Sequence, residues 1–259
     1  TPLAGVSLAP YVWKRSGAGP TARIEATMPG AYLRADFRGS RTVRLAVDGT
    51  ANLGCPETSL PLIDHSIDGG PFRSSRLRAT DGIYSLPLAD ALEAAEAHRL
   101  EVHFRSAHLG PDRWSSSKVH LRLTGLELEA GGSLLPRPRA SPRNAIGFGD
   151  SITEGVCSEG PCPYYSDLSM NNARVTWFPL VCGALDCEYG QLGTGGQGMV
   201  RRLEMPPLPE TWDRYDASAS RLVGGRLDPE PDFIFCAMGT NDYQGEGDGR
   251  TMLSIAGEY

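Results

Sequence analysis

The chain has 259 residues, a formal net charge of −6, 40% hydrophobic residues and 22% charged ones. That composition is enough for packed cores and excludes wholesale disorder, while no run approaches the roughly 18 apolar residues of a membrane span. The charge is lopsided: residues 1–140 stand at +3 and residues 141–259 at −9. This argues against nucleic acid or an anionic membrane as partner of the second half, because phosphate binding needs clustered Lys and Arg.

The length suits two domains of ordinary size. The chain opens at Thr1 without a charged-then-apolar leader, so a signal peptide is expected to be absent or already removed.

Residues 31–37, 43–47, 100–104 and 119–123 alternate apolar and polar side chains between turn-forming residues, the pattern of half-buried strands in a β-sandwich. The Ala-rich stretch 88–98 predicts a short helix instead. Around residues 134–142 the pattern breaks: Pro136, Pro138 and Pro142 remove backbone donors and favour extended chain. A domain boundary is expected here, between residues 138 and 139.

After it the period changes. Residues 144–148 read as a buried strand running into Gly149-Asp150-Ser151. Residues 172–185, with Val175, Phe178, Val181, Cys182 and Leu185 near helical spacing, predict a helix. Residues 187–192 and 232–238 predict two more strands, ending in Gly193-Thr194-Gly195-Gly196-Gln197-Gly198 and Gly239-Thr240-Asn241-Asp242. This succession suggests an open parallel sheet, in which ligands sit beyond the carboxyl ends of the strands. All three glycine-containing turns fall at that end.

Six cysteines, an even count, permit disulfides and lean toward an extracytoplasmic setting. Cys157 and Cys162 bracket a turn-like Ser158-Glu159-Gly160-Pro161, so a short-loop bridge is expected. Cys182 and Cys187 repeat the spacing, which raises a four-cysteine zinc site; the spacing is wider than a zinc knuckle and Cys182 falls in an apolar helical stretch, so no metal is expected.

A serine at a strand-to-helix turn exposes its hydroxyl, but it attacks an ester only when a base takes its proton and donors hold the oxyanion. Ser151 N–H, Gly196 N–H and the Asn241 amide together make such a donor set. Each has a plainer explanation. Ser151 and Glu154 have the spacing of a capping box, the glycine turn has a phosphate-loop look without a P-loop lysine, and Asn241-Asp242 suits a simple turn. All three plain explanations holding at three strand ends is the less economical account.

Gly149-Asp150-Ser151-Ile152-Thr153, Gly196 and Gly239-Thr240-Asn241-Asp242 resemble the first three blocks of the GDSL, or SGNH, hydrolases. The first half is similar to the sandwich preceding this domain in carbohydrate esterase family two, the acetyl-xylan-esterase-like branch. The matching pieces are residues 30–39, Ser66-Ile67-Asp68-Gly69 and His98-Arg99-Leu100-Glu101-Val102. The resemblance implies a jelly-roll-like β-sandwich over 1–138, then a three-layer α/β domain of SGNH, flavodoxin-like type over 139–259. It implies a cofactor-free serine ester hydrolase, most readily a carbohydrate O-deacetylase acting on acetylated sugar. Ser151 would be nucleophile, Ser151, Gly196 and Asn241 the oxyanion hole, and Asp150 and Asp242 supporting carboxylates.

One departure bears on activity. The family carries its base in a later Asp-x-x-His block, whereas His65, His98, His103, His108 and His120 all precede residue 139. The α/β domain is therefore expected to be incomplete, or a sandwich histidine to reach across. Two other readings stand beside the deacetylase: a glycan-binding protein with a base-less hydrolase-like domain, and an SGNH esterase or lipase with a different substrate. Trp177 and Trp212 are candidates to stack on sugar, with core packing as the alternative; Trp13 and Trp114 are expected in the sandwich core.

Overall fold

The computed structural model describes residues 3–243 apart from 4, 109–111, 117, 162–167 and 201–204. The first part of the chain supplies β1 (Ser7–Leu8), β2 (Lys14–Ser16), β3 (Arg23–Ala26), β4 (Tyr32–Arg38), β5 (Val43–Asp48) and β6 (Leu62–Ile67). It continues with β7 (Arg73–Arg76), β8 (Ile83–Ala89), β9 (Ala97–Ser106), β10 (Leu121–Leu128) and β11 (Ser133–Leu134). One antiparallel sheet runs β1-β4-β9-β6-β7, with β11 on β4; the other runs β2-β3-β10-β5-β8. Side chains alternate across a pleated strand, and here the inward set of both sheets, including Leu33, Phe37, Leu45, Leu100, Phe104 and Leu121, forms one apolar core.

The three sequence pieces resembling the esterase sandwich lie on neighbouring strands. Asp36 pairs with Arg99 in the register of β4 and β9, and their side chains form a two-pronged ion pair at 2.7 and 2.8 Å. At the end of β6, Asp68 Oδ2 meets His98 Nδ1 at 2.7 Å. Those motifs hold the end of this sheet together.

The helix predicted over residues 88–98 is not formed. Leu86 and Leu88 are both buried, so β8 continues through Ala89, pairing with β5 up to Val43. Ala91 then turns with φ 61° and β9 begins at Ala97. Alternate burial of two leucines outweighs the helix propensity of the alanines.

The second part carries β12 (Arg143–Gly149), α1 (Ser151–Glu154), α2 (Trp177–Ala184), β13 (Cys187–Gly193), β14 (Arg214–Asp216), β15 (Ala219–Ser220), β16 (Phe233–Ala237) and α3 (Thr240–Tyr243). The order is β13-β12-β16, and both pairings are parallel, as the sequence suggests. The helix expected over 172–185 is two pieces: a 3-10 turn at Ala173–Val175, capped by the Asn172 side chain, and α2, with Thr176 extended between them. Phe178 and Cys182 on α2 bury themselves against the sheet.

The proline-rich stretch is tied down at both ends. Leu135 N donates to Asp36 O at 2.8 Å, and Ser141 N to Glu188 Oε1 at 3.0 Å. Ile146, Phe148, Leu192 and Leu208 join the sandwich core. Glu188 on β13 also accepts from the Tyr32 hydroxyl and the Arg34 guanidinium of β4. Trp13 is buried in that core, donating to Tyr32 O at 3.0 Å. Trp114 is not: it is half-buried beside Trp212, Leu192 and Thr194.

Cys157 is disulfide-bonded; Cys162 lies outside the described residues. Cys182 and Cys187 are free thiols. Among the described residues no helix is long and apolar enough to cross a membrane.

Candidate active site

Two close approaches place Ser151. A side chain on Gly149 would run into Thr153, and a Cβ on Gly193 would lie 2.4 Å from Glu154 N. Glycines at these paired positions of β12 and β13 let the single turn of α1 settle on the end of the sheet. Asp150 is the N-cap: Oδ1 accepts from Ile152 N at 2.9 Å. Gly155, at φ 87°, ends the turn.

The capping-box explanation of Ser151 therefore fails. Asp150 occupies the cap, and the Glu154 side chain does not reach back to it. Ser151 is the first helical residue, half-buried, and its hydroxyl and N–H make no hydrogen bond with the described residues. Asp150 is 1% exposed, and its supporting role is that of cap.

The turn after β13 folds onto α1. Gly195 N donates to Glu154 Oε2 at 2.6 Å, and Gln197 N to Thr194 O at 3.1 Å. Gly196, at φ 78°, favours glycine's tolerance of left-handed backbone. Its N–H has no acceptor among the described residues, unlike that of Gly195. The third block follows β16. Asn241 is 5% exposed, and its Nδ2 donates to Gln197 O at 2.9 Å. Asp242 is fully buried, with its carboxylate accepting from Met199 N at 2.8 Å and Val200 N at 3.0 Å. It anchors the segment following the glycine turn. The three blocks meet because β12, β13 and β16 are neighbours with aligned carboxyl ends: Gly149 pairs with both Gly193 and Ala237.

Trp177 belongs to the scaffold. Its Nε1 donates to Thr153 Oγ1 at 3.0 Å, and its ring packs on Phe178 and Phe235. Trp212 is 41% exposed and lines a narrow cleft with Gln197, Thr194 and Trp114.

Four histidines are committed within the sandwich. His98 pairs with Asp68 and His103 Nε2 with Glu101 at 2.6 Å. His65 Nε2 lies 2.9 Å from Leu88 O, and fully buried His120 lies 3.2 Å from Glu25. His108 is half-buried, and burial together with the Arg113 charge holds its pKa below the ordinary value. Sequence reasoning missed Arg113 altogether: this buried residue joins Glu154 at 2.6 Å, and no local motif signals a contact across 41 residues.

The fold is similar to that of solved family two carbohydrate esterases. The chain matches such an esterase from Cellvibrio japonicus with a TM-score of 0.73 and 24% identity, over 92% of this chain and 66% of that one. A family two esterase from Clostridium thermocellum, solved in complex with cellohexaose, gives a TM-score of 0.68 and 17% identity over 93% of this chain and 67% of that one. No protein-family model matches the chain.

A particular relative follows from the sequence. The acetylxylan esterase / glucomannan deacetylase of Cellvibrio japonicus (strain Ueda107) is 26% identical over 222 residues, 83% of this chain and 56% of the relative. The chain thus spans little more than half the length of that curated relative. The resemblance drawn from the sequence motifs holds: the relatives are carbohydrate esterases, enzymes that hydrolyse carboxylic esters.

Proposed function

We propose that this chain carries the nucleophile and oxyanion-binding part of a carbohydrate O-deacetylase that works through an acyl-serine intermediate. We divide it into a jelly-roll-like sandwich over 1–138 and an SGNH-type α/β domain over 139–259. One observation carries the reading. Ser151 N–H and Gly196 N–H, two donors without described acceptors, stand at adjoining strand ends beside the buried Asn241 amide.

In this reading Ser151 Oγ attacks the acetyl carbonyl and its proton passes to a base. The negative charge on the carbonyl oxygen is met by the two N–H groups and the Asn241 amide. The tetrahedral species breaks its bond to the sugar oxygen, which takes the proton back from the base and leaves as a hydroxyl, and water then releases acetate from the serine. Fixed donors of this kind need no reorganisation during reaction, which is why they contribute so much. The base is not among the described residues of the α/β part and must come from elsewhere in the protein.

The test is Ser151→Ala in the intact protein against an acetylated xylo- or manno-oligosaccharide. Acetate release should vanish; unchanged turnover would sink the assignment. The other reading is a glycan-binding protein with a base-less hydrolase-like domain. It predicts oligosaccharide binding without covalent labelling of Ser151 by a fluorophosphonate.

A further inference from the structure

Glu154 stands one helical turn after Ser151 and is 3% exposed, yet the acyl-transfer scheme gives it nothing to do. Its two oxygens have different partners. Oε1 takes the Arg113 guanidinium at 2.6 Å, and Oε2 takes the backbone N–H of Gly195 at 2.6 Å. Arg113 comes from the sandwich part and is itself buried, with Nη1 3.4 Å from Thr27 O. A carboxylate and a guanidinium taken out of water together are costly to assemble, and removing one alone leaves the other as an uncompensated buried charge.

The place where this pair spends its charge is informative. Gly195 and Gly196 offer two successive N–H groups at the mouth of the site. Glu154 consumes the first and leaves the second. Without an acceptor for the first, the peptide planes of a two-glycine segment can rotate, because glycine imposes little restraint on φ.

We propose that Glu154 is a positioning residue for the oxyanion hole, with Arg113 as its counter-ion from the sandwich. Holding the Gly195 N–H fixes the Thr194–Gly195 peptide plane, and so restricts how the next peptide presents the Gly196 N–H to the reacting oxygen. The sandwich thereby acts on the chemistry through Arg113 and Glu154. This inference rests on the deacetylase reading above.

The experiment uses the intact protein and two variants whose thermal midpoints are checked first. Glu154→Asp keeps the charge beside Arg113 but is one methylene too short to hold Gly195. It should lower kcat by on the order of 10²-fold, the scale of losing one oxyanion donor, with KM within about threefold. Affinity for a boronic acid that forms a tetrahedral adduct on Ser151 should fall in step with kcat, while affinity for the deacetylated oligosaccharide stays level. Glu154→Gln combined with Arg113→Met removes both charges but restores an acceptor for Gly195, and should recover most of kcat.

A Glu154→Asp protein with wild-type kcat and boronate affinity overturns the proposal. So does a folded double variant as impaired as Glu154→Asp, since the acceptor alone would then not matter. If Glu154→Asp does not fold, the double variant decides by the same two readouts. Wild-type protein without Ser151-dependent acetate release would instead bring down the deacetylase reading itself, a distinct result.

Discussion

The Asn241 side-chain amide donates to the Gln197 carbonyl at 2.9 Å, so the block after the third parallel strand is fastened to the glycine turn after the second. In the proposed scheme Asn241→Ala acts twice, by removing an oxyanion donor and by loosening the turn. We expect kcat for an acetyl ester to fall by about 10²–10³ with little change in KM. Steady-state kinetics on purified protein decide it; an equal fall in kcat and rise in KM would point to general damage instead.

The second prediction concerns Glu188, which serves the Tyr32 hydroxyl, the Arg34 guanidinium and Ser141 N together. Arg34 keeps 25% of its side chain in solvent, so leaving it and the Tyr32 hydroxyl without Glu188 costs less than orphaning a fully buried ion, about 1–3 kcal/mol. Glu188→Ala should lower stability on that scale in urea unfolding. Glu188→Gln, still able to accept a hydrogen bond, should lose less.

Acid should act through Glu25. Burial pushes its carboxyl up, but His120 and Arg122 outweigh this and hold it at about 2. A carboxyl whose pKa is depressed on folding contributes stability above its unfolded value, and loses it as pH falls through the folded value. The window is thus from about 4.5 down to 2. Unfolding midpoints measured across it should fall, and the fall should be shallower in Glu25→Gln.

Thiol chemistry separates the cysteines. Burial, with Cys187 nearby, pushes the Cys182 thiol up to about 12, so little reactive thiolate forms. Cys236 is exposed. Iodoacetamide on the native protein should label Cys236 well before Cys182, and denaturant should erase the difference; mass spectrometry of peptides after timed labelling reads both.

Much of this architecture is written locally. Strand alternation in residues 31–37 and 100–104 marks β4 and β9, and the apolar runs ending in Gly149, Gly193 and Gly239 place three turns at one end of a parallel sheet. What sequence could not reveal depends on partners far along the chain. Residues 88–98 carry helix-favouring alanines, yet Leu86 and Leu88 are claimed by the sandwich core. The Ser151-x-x-Glu154 spacing suits a cap, but Asp150 takes that place by accepting from Ile152 N, and Glu154 pairs with Arg113 instead. Trp114 looked like sandwich core and instead faces the cleft beside Trp212. For the leucines, for Glu154 and for Trp114, the contact that decides the outcome comes from far along the chain.

The core that runs from the sandwich into Ile146, Phe148 and Leu192 has a consequence for anyone wishing to dissect the protein. Severing the chain near Pro138 would strip β12 and β13 of apolar cover and leave Glu188 facing an empty place where Tyr32 and Arg34 had been. The two halves should melt in a single transition. A grafted sandwich would travel without Ile146, Phe148 and Leu192, which complete its core, and an isolated sheet would travel without the arginine that pairs with Glu154.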